Sequence, residues 1–152
     1  MKLAEALIAR ADTQRRLEQL KQRLLQNARV QEGDQPAEDP AALLAEAERL
    51  ARRLQELIQR INRTNSATLY EGEMTLTDAL AMRDVLRIRQ ELYRSLAHIA
   101  SAKQDRYSRY EVKFQSTVDV GRIQEQADEL ARAYRSLDTR VQALNWQTEL
   151  LE

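Results

Sequence analysis

The chain has 152 residues, 24 basic and 24 acidic, with formal net charge zero. That balance argues against a polyanion-binding protein of the usual basic kind and removes the self-repulsion that keeps copies apart. With no cysteine, disulfides and thiolate metal sites are excluded.

Three glycines and two prolines, against many Ala, Leu, Arg, Gln and Glu, are the composition of long helices. The opening "MKLAEALIARAD" is interrupted by Glu5 and Arg10, so it does not read as a secretory signal. No run approaches the ~18 apolar residues of a membrane span. A single soluble cytoplasmic domain over residues 1–152 is the expectation.

The first helix is expected over about residues 2–28. Leu3, Leu7, Leu17, Leu20, Leu24 and Leu25 are apolar, while Arg10, Thr13 and Gln14 leave its middle polar. An acidic, turn-like linker follows, "RVQEGDQPAED", with Glu32, Asp34, Glu38 and Asp39. Pro40 suits the first position of a second helix, over about residues 40–64. Leu43, Ala47, Leu50, Leu54, Leu57 and Ile61 alternate steps of four and three, with Leu44, Ala51 and Ile58 widening the stripe. Such spacing keeps one apolar seam facing a partner.

"INRTNSATLYEGEMTLTDAL", residues 61–80, then breaks the helical pattern. Residues 67–76 read as a small β-hairpin around Glu71-Gly72. Asn62, Asn65, Ser66 and Asp78 are side-chain types that satisfy helix ends and turns, so the stretch reads first as punctuation. The alternative is a small polar-ligand site, or an enzyme site, built by Asn62, Arg63, Asn65 and Asp78, with Trp146 closing it.

Thr75 or Thr77 can cap a third helix over about 77–103, with Asp78 favourable in its first turn. Met82, Val85, Leu92, Leu96 and Ile99 form its expected seam, with Leu86, Tyr93 and Ala100 beside them. Arg89 falls inside that seam and needs a carboxylate or a route to water. The linker "QDRYSRYEVKFQSTVD" carries a strand-like alternation over about 110–118. Asp119 can cap a fourth helix over about 119–147, whose seam runs Val120, Ile123, Ala127, Leu130, Tyr134, Leu137, Val141 and Leu144, with Leu151 one heptad further.

The expected fold is therefore mainly α. Four long antiparallel helices form an up-down bundle of two helical hairpins, with a small β-hairpin and strand element. Helices of this length are near 38 Å long, and short connections force antiparallel neighbours. Loops one and three would then share an end. That pairs the acidic residues Glu32, Asp34, Glu38 and Asp39 with Arg106, Arg109 and Lys113, within a chain or across a subunit interface.

No chemistry-bearing motif emerges. His98 is the single histidine, and Ser95 stands where a di-iron Glu-x-x-His motif needs glutamate, so no metal and no cofactor is expected. There is no nucleophile elbow, P-loop or dinucleotide fingerprint. "KQDRYSRYEVK" mixes Lys103, Arg106, Arg109 and Lys113 with Tyr107 and Tyr110, but Asp105 and Glu111 dilute its charge, so the nucleic-acid signal is not strong. A non-catalytic structural or interaction protein acting as a homo-oligomer is the leading expectation.

"RVQEGDQPAEDP", "INRTNSAT", "LTDALAMRD", "DRYSRYEVKFQSTVDV" and "LNWQTELL" together resemble a family of small bacterial helical proteins named septicolysin. The resemblance runs over nearly the whole chain. By its name it implies a pore-forming cytolysin, which would act through refolded amphipathic helices.

Overall fold

The computed structural model describes residues 1–102 and 113–152. Its elements are α1 (Leu3–Gln26), α2 (Pro40–Ala67), β1 (Leu69–Glu71), β2 (Met74–Thr75), α3 (Leu76–Ala100) and α4 (Val120–Gln147). The chain is mainly helical, with one small two-stranded antiparallel sheet, as the residue pattern requires. Contacts divide it into two compact units, Met1–Thr75 with Ala143–Glu152, and Leu76–Gln142.

In the first unit α1 and α2 run antiparallel: Arg16 meets Glu46 at 3.4 Å, and further along Arg23 meets Glu38. Between them Leu20, Leu43 and Leu50 form a buried cluster, extended by Leu17, Leu24 and Ala47. Each such leucine contributes about 1.5–3 kcal/mol through removal from water. Further along α2 the seam is kept by buried Leu57 and Ile61. Leu44, on its expected flank, is exposed, as is Leu25 on α1.

The polar middle of α1 is not solvated throughout. Thr13 is buried and donates its hydroxyl to the Ala9 carbonyl at 2.7 Å, which satisfies it without water. Arg10 Nε is also buried and finds no hydrogen-bond partner among the described residues.

The α1–α2 connection is held by side chains. Asn27 donates to the Arg23 carbonyl at 2.9 Å and accepts from the Glu38 amide at 3.0 Å, tying the end of α1 to the approach of α2. Asp39 caps α2, accepting from the Ala41 amide at 3.0 Å, with Pro40 at the first helical position as expected. Gly33 turns the loop at φ +91°, a conformation L side chains rarely adopt.

The hairpin pairs Leu69 with Thr75 and Glu71 with Met74, with a bulge between. Its turn is centred one residue later than the Glu71-Gly72 expected, on Gly72-Glu73. Gly72 has φ +55° and no other residue type in the described chain has positive φ, so the first central position falls on the glycine, as in type II′ hairpins. A hairpin this short is unstable alone; β2 packs against α2.

The two ends of the chain are laced together in the first unit. The Leu3 amide donates to the Thr148 carbonyl at 2.9 Å, and the Leu150 amide to the Met1 carbonyl at 2.8 Å. Lys2 Nζ lies 2.6 Å from Glu149. The helical heptad therefore does not extend to Leu151, which is half exposed; the helix stops at Gln147 and Leu150 is the buried residue.

In the second unit the α4 seam is observed as expected, with Ala127, Leu130, Leu137 and Val141 buried. Asp119 caps α4, accepting from the Arg122 amide at 3.2 Å. Arg83 of α3 donates to Asp138 of α4 at 2.8 Å.

The seam of α3 is a correction. Ala79 and Ala97 are buried, and Leu86, Tyr93 and Ala100 are half-buried, whereas Met82, Val85, Leu92, Leu96 and Ile99 are exposed. The helix carries two adjacent apolar stripes, and periodicity cannot rank them. The covered stripe is the one with the small residues, Ala79 and Ala97, which permit close approach of a neighbour. Arg89 is exposed and reaches water.

The expected strand over 110–118 is also corrected where it can be seen. Residues 113–118 form no strand, and residues 110–112 lie outside the described chain. The Ser116 hydroxyl donates to the Val118 carbonyl at 2.7 Å, and the Val118 amide lies 3.2 Å from the same oxygen. The amide and carbonyl of Val118 are thus engaged locally rather than with a partner strand.

Candidate functional site

Among the residues singled out for a ligand site, Asn62, Arg63 and Asn65 occupy the last turns of α2, with Asn62 and Arg63 exposed and Asn65 half-buried. Arg63 lines a shallow cleft of about 300 Å³ with Glu56, Gln59, Arg60 and Glu152. Asp78 belongs to the first turn of α3, in the second unit, and Trp146 is exposed near the end of α4.

A further residue of that stretch, Thr64, lies outside the expected ligand set. It is fully buried, donates to the Arg60 carbonyl at 2.8 Å and accepts from the Leu151 amide at 3.0 Å. Arg60 Nε donates to the Leu151 carbonyl at 2.9 Å. Thr68 donates to the Thr64 carbonyl at 2.8 Å, closing the end of α2. The bonds from Thr64 and Arg60 dock the C-terminal segment onto α2. The sequence signal available was that Thr64 continues the Leu57–Ile61 seam one turn further.

Two of the four acidic-loop carboxylates have partners within their own unit. Glu38 receives a forked pair of bonds from Arg23, one of them Nε to Oε2 at 3.0 Å, and Asp39 caps α2. The guanidinium hydrogen bond holds the Glu38 carboxyl below the usual glutamate range and raises Arg23 in return. Glu32 and Asp34 are exposed in the loop. Arg106 and Arg109 lie outside the described residues, as does nearly all of "KQDRYSRYEVK"; Lys113 is exposed.

His98 is exposed on α3 beside Ile99. Among the described residues no group of three or more His, Asp or Glu side chains is placed to hold a metal ion. Among them, too, no helix is long and apolar enough to cross a membrane.

Two surface features stand out instead. One is the open stripe of α3. Ile88 joins Met82, Val85, Leu92, Leu96 and Ile99, and each leaves between 39% and 73% of its surface exposed. At 100° per residue the six fall within an arc of about 120°, over about 25 Å of helix. Its charged neighbours are engaged within the unit: Arg87 with Asp84, Arg94 with Glu91, and Arg83 with Asp138.

The other is a cleft of about 670 Å³ between α1 and α2, lined by Asp12, Thr13 and Arg16 on one side and Arg49, Arg52, Arg53 and Glu56 on the other. Balanced net charge hides the arginine cluster from the sequence, and periodicity presents the α3 stripe as an interior seam rather than an open face.

Comparison with known proteins gives the family and little chemistry. Residues 10–150 match the model of a family of unknown function, DUF6847, and the chain belongs to that family. It is similar to a solved structure from Corynebacterium diphtheriae, described as a functionally unknown conserved protein, at 52% identity and TM-score 0.95 over 99% of each chain. No curated protein matches. The septicolysin resemblance is thereby corrected: the family that matches is a different one, of unknown function, and the structural relative carries no such name. The cytolysin reading rested on that name and falls with it.

Proposed function

We propose that this member of the DUF6847 family is a non-catalytic interaction protein that works as a homo-oligomer, and that the exposed stripe of α3 is the face on which copies meet. The observation that carries this reading is the stripe itself. Six large apolar side chains on one side of a helix expose roughly 600 Å² per copy, at the top of what monomers tolerate and approaching the ~800 Å² per partner of a standard interface.

The occupant that fits is a second copy. A two-fold axis at the middle of the stripe, between residues 90 and 91, sets Met82 against Ile99 and Val85 against Leu96 of the other copy, large apolar against large apolar. The flanking charges are already paired within the chain, and net charge is zero, so two copies meet without repulsion. Leu92 crosses near Arg89, whose long stem can cover apolar surface while its head reaches water at the rim. The absence of a recognisable catalytic motif in the sequence supports the non-catalytic part of the reading.

Sedimentation equilibrium tests it. The protein should self-associate to a dimer in the micromolar range. Leu92→Glu should give a monomer with unchanged helical circular dichroism, because the residue is exposed in the single chain. Arg89→Leu should tighten association by removing the one charge in the seam. A wild-type monomer at ~100 μM, a concentration well above the dissociation constant of most specific interfaces, refutes the proposal.

A further inference from the structure

We infer that the α1–α2 cleft binds a small ligand carrying two or more phosphate groups. The sequence spacing builds the site. Arg49, Arg53 and Glu56 recur at steps of four and three along one face of α2, with Arg52 beside them. This face lies off the apolar seam through Leu50 and Leu57, so α2 can bury one side against α1 and turn its guanidiniums along the edge of the same helix pair. Arg16 of α1 closes the opposite wall.

The charge in the cleft is not balanced internally. Four arginines face two carboxylates among the lining residues. Asp12 is engaged by Arg15, which lies outside the cleft, and Arg16 reaches only a 3.4 Å contact with Glu46. Arg49, Arg52 and Arg53 have no ion-pair partner among the described residues, although carboxylates are abundant elsewhere on α1 and α2. Like charges gathered this closely raise each other's energy, and a multivalent anion relieves all of them at once.

The floor narrows the ligand class. Thr13 spends its hydroxyl on the Ala9 carbonyl, and Leu50 and Ala9 are apolar, so recognition falls to the guanidiniums. Their planar forks match phosphate oxygens two at a time. About 670 Å³ lies within the range of small-molecule sites and holds a short phosphate chain or a nucleotide. A single phosphate can engage only part of the arc from Arg16 to Arg53. This site lies on α1 and α2, and its test is independent of association through α3.

Isothermal titration calorimetry on the full chain at low salt decides it, with tripolyphosphate, orthophosphate and a nucleoside triphosphate as probes. Tripolyphosphate should bind one per chain, at least about tenfold more tightly than orthophosphate, and more weakly as salt rises. The double variant Arg49→Gln, Arg53→Gln should lose about tenfold or more with helical content retained. The exposed single variant Arg52→Gln gives the same reading should the double variant misfold. Arg132→Gln with Arg135→Gln, on exposed positions of α4, should bind as wild type. A nucleoside triphosphate binding more tightly than tripolyphosphate identifies a nucleotide site, and equal affinity a bare phosphate chain. No binding of tripolyphosphate at low salt, binding undiminished by the α2 substitutions, or equal loss in the α4 control overturns the inference. So does an oligonucleotide that binds far more tightly than any small probe.

Discussion

Thr64→Val isolates the bond that docks the C-terminal segment. Valine keeps the shape of threonine and removes the hydroxyl. The Arg60 carbonyl loses little, because the backbone bond of the α-helix still reaches it. The Leu151 amide, which donates to the hydroxyl at 3.0 Å, loses its acceptor at a position where Thr64 itself is fully buried. An orphaned amide of this kind costs about 1–3 kcal/mol. For a chain of this size each kcal/mol moves the melting temperature by about 2–4 °C, so a fall of roughly 2–12 °C is expected. Differential scanning calorimetry reads the fall. Hydrogen exchange should show lost protection at Leu150 and Leu151 before any at the Leu20–Leu43–Leu50 cluster. An unchanged melting temperature together with unchanged exchange at Leu151 would refute the assignment of Thr64 as the anchor.

Two further outcomes follow from the same structure. Leu20→Ala empties the centre of the α1–α2 cluster and should cost about 2–5 kcal/mol in a denaturant titration followed by circular dichroism. Glu149 is held below the usual glutamate range chiefly by the hydrogen bond from Lys2, then by that from the N-terminal amine, and Glu38 by that from Arg23. A depressed folded-state pKa contributes stability that is present above the unfolded value, about 4.3 for glutamate, and is lost as pH falls through the lower folded value. Thermal stability should therefore decline below about pH 4.3, and the Glu38→Gln, Glu149→Gln variant should be less stable than wild type at pH 7 while converging with it in acid. These carboxylates are exposed, so the difference will be small and will shrink in salt. A pH-independent difference would show that the two substitutions act by something other than these ion pairs.

How far the residues alone reached depends on the element. The seams of α2 and α4 were legible because each helix carries one dominant apolar stripe, and burial followed it: Leu43, Leu50, Leu57 and Ile61 in one, Ala127, Leu130, Leu137 and Val141 in the other. The cap at Asp119 and the first helical position of Pro40 were legible because each residue type suits a helix start, whereas the capping role of Asp39 emerges only from the structure. In α3 two stripes compete that periodicity cannot rank, and the one running from Met82 to Ile99 is left outside. The candidate site at Asn62, Arg63 and Asn65 was read from residue type. The bonds to the C-terminal segment fall instead on Thr64 and Arg60, the α2 side chains that come within hydrogen-bond distance of Leu151.

The amino-acid pattern thus determined helix number, approximate boundaries, capping and the class of the fold, since these depend on interactions within a few residues of chain. The pairing of Thr64 with Leu151, the lacing of Lys2 to Glu149, the arginine cleft and the open face of α3 were decided only by tertiary structure. Each depends on which residues distant in sequence meet, or on which face is left without a partner. One-dimensional periodicity carries no information about either, because a helix specifies its stripes but not its neighbours.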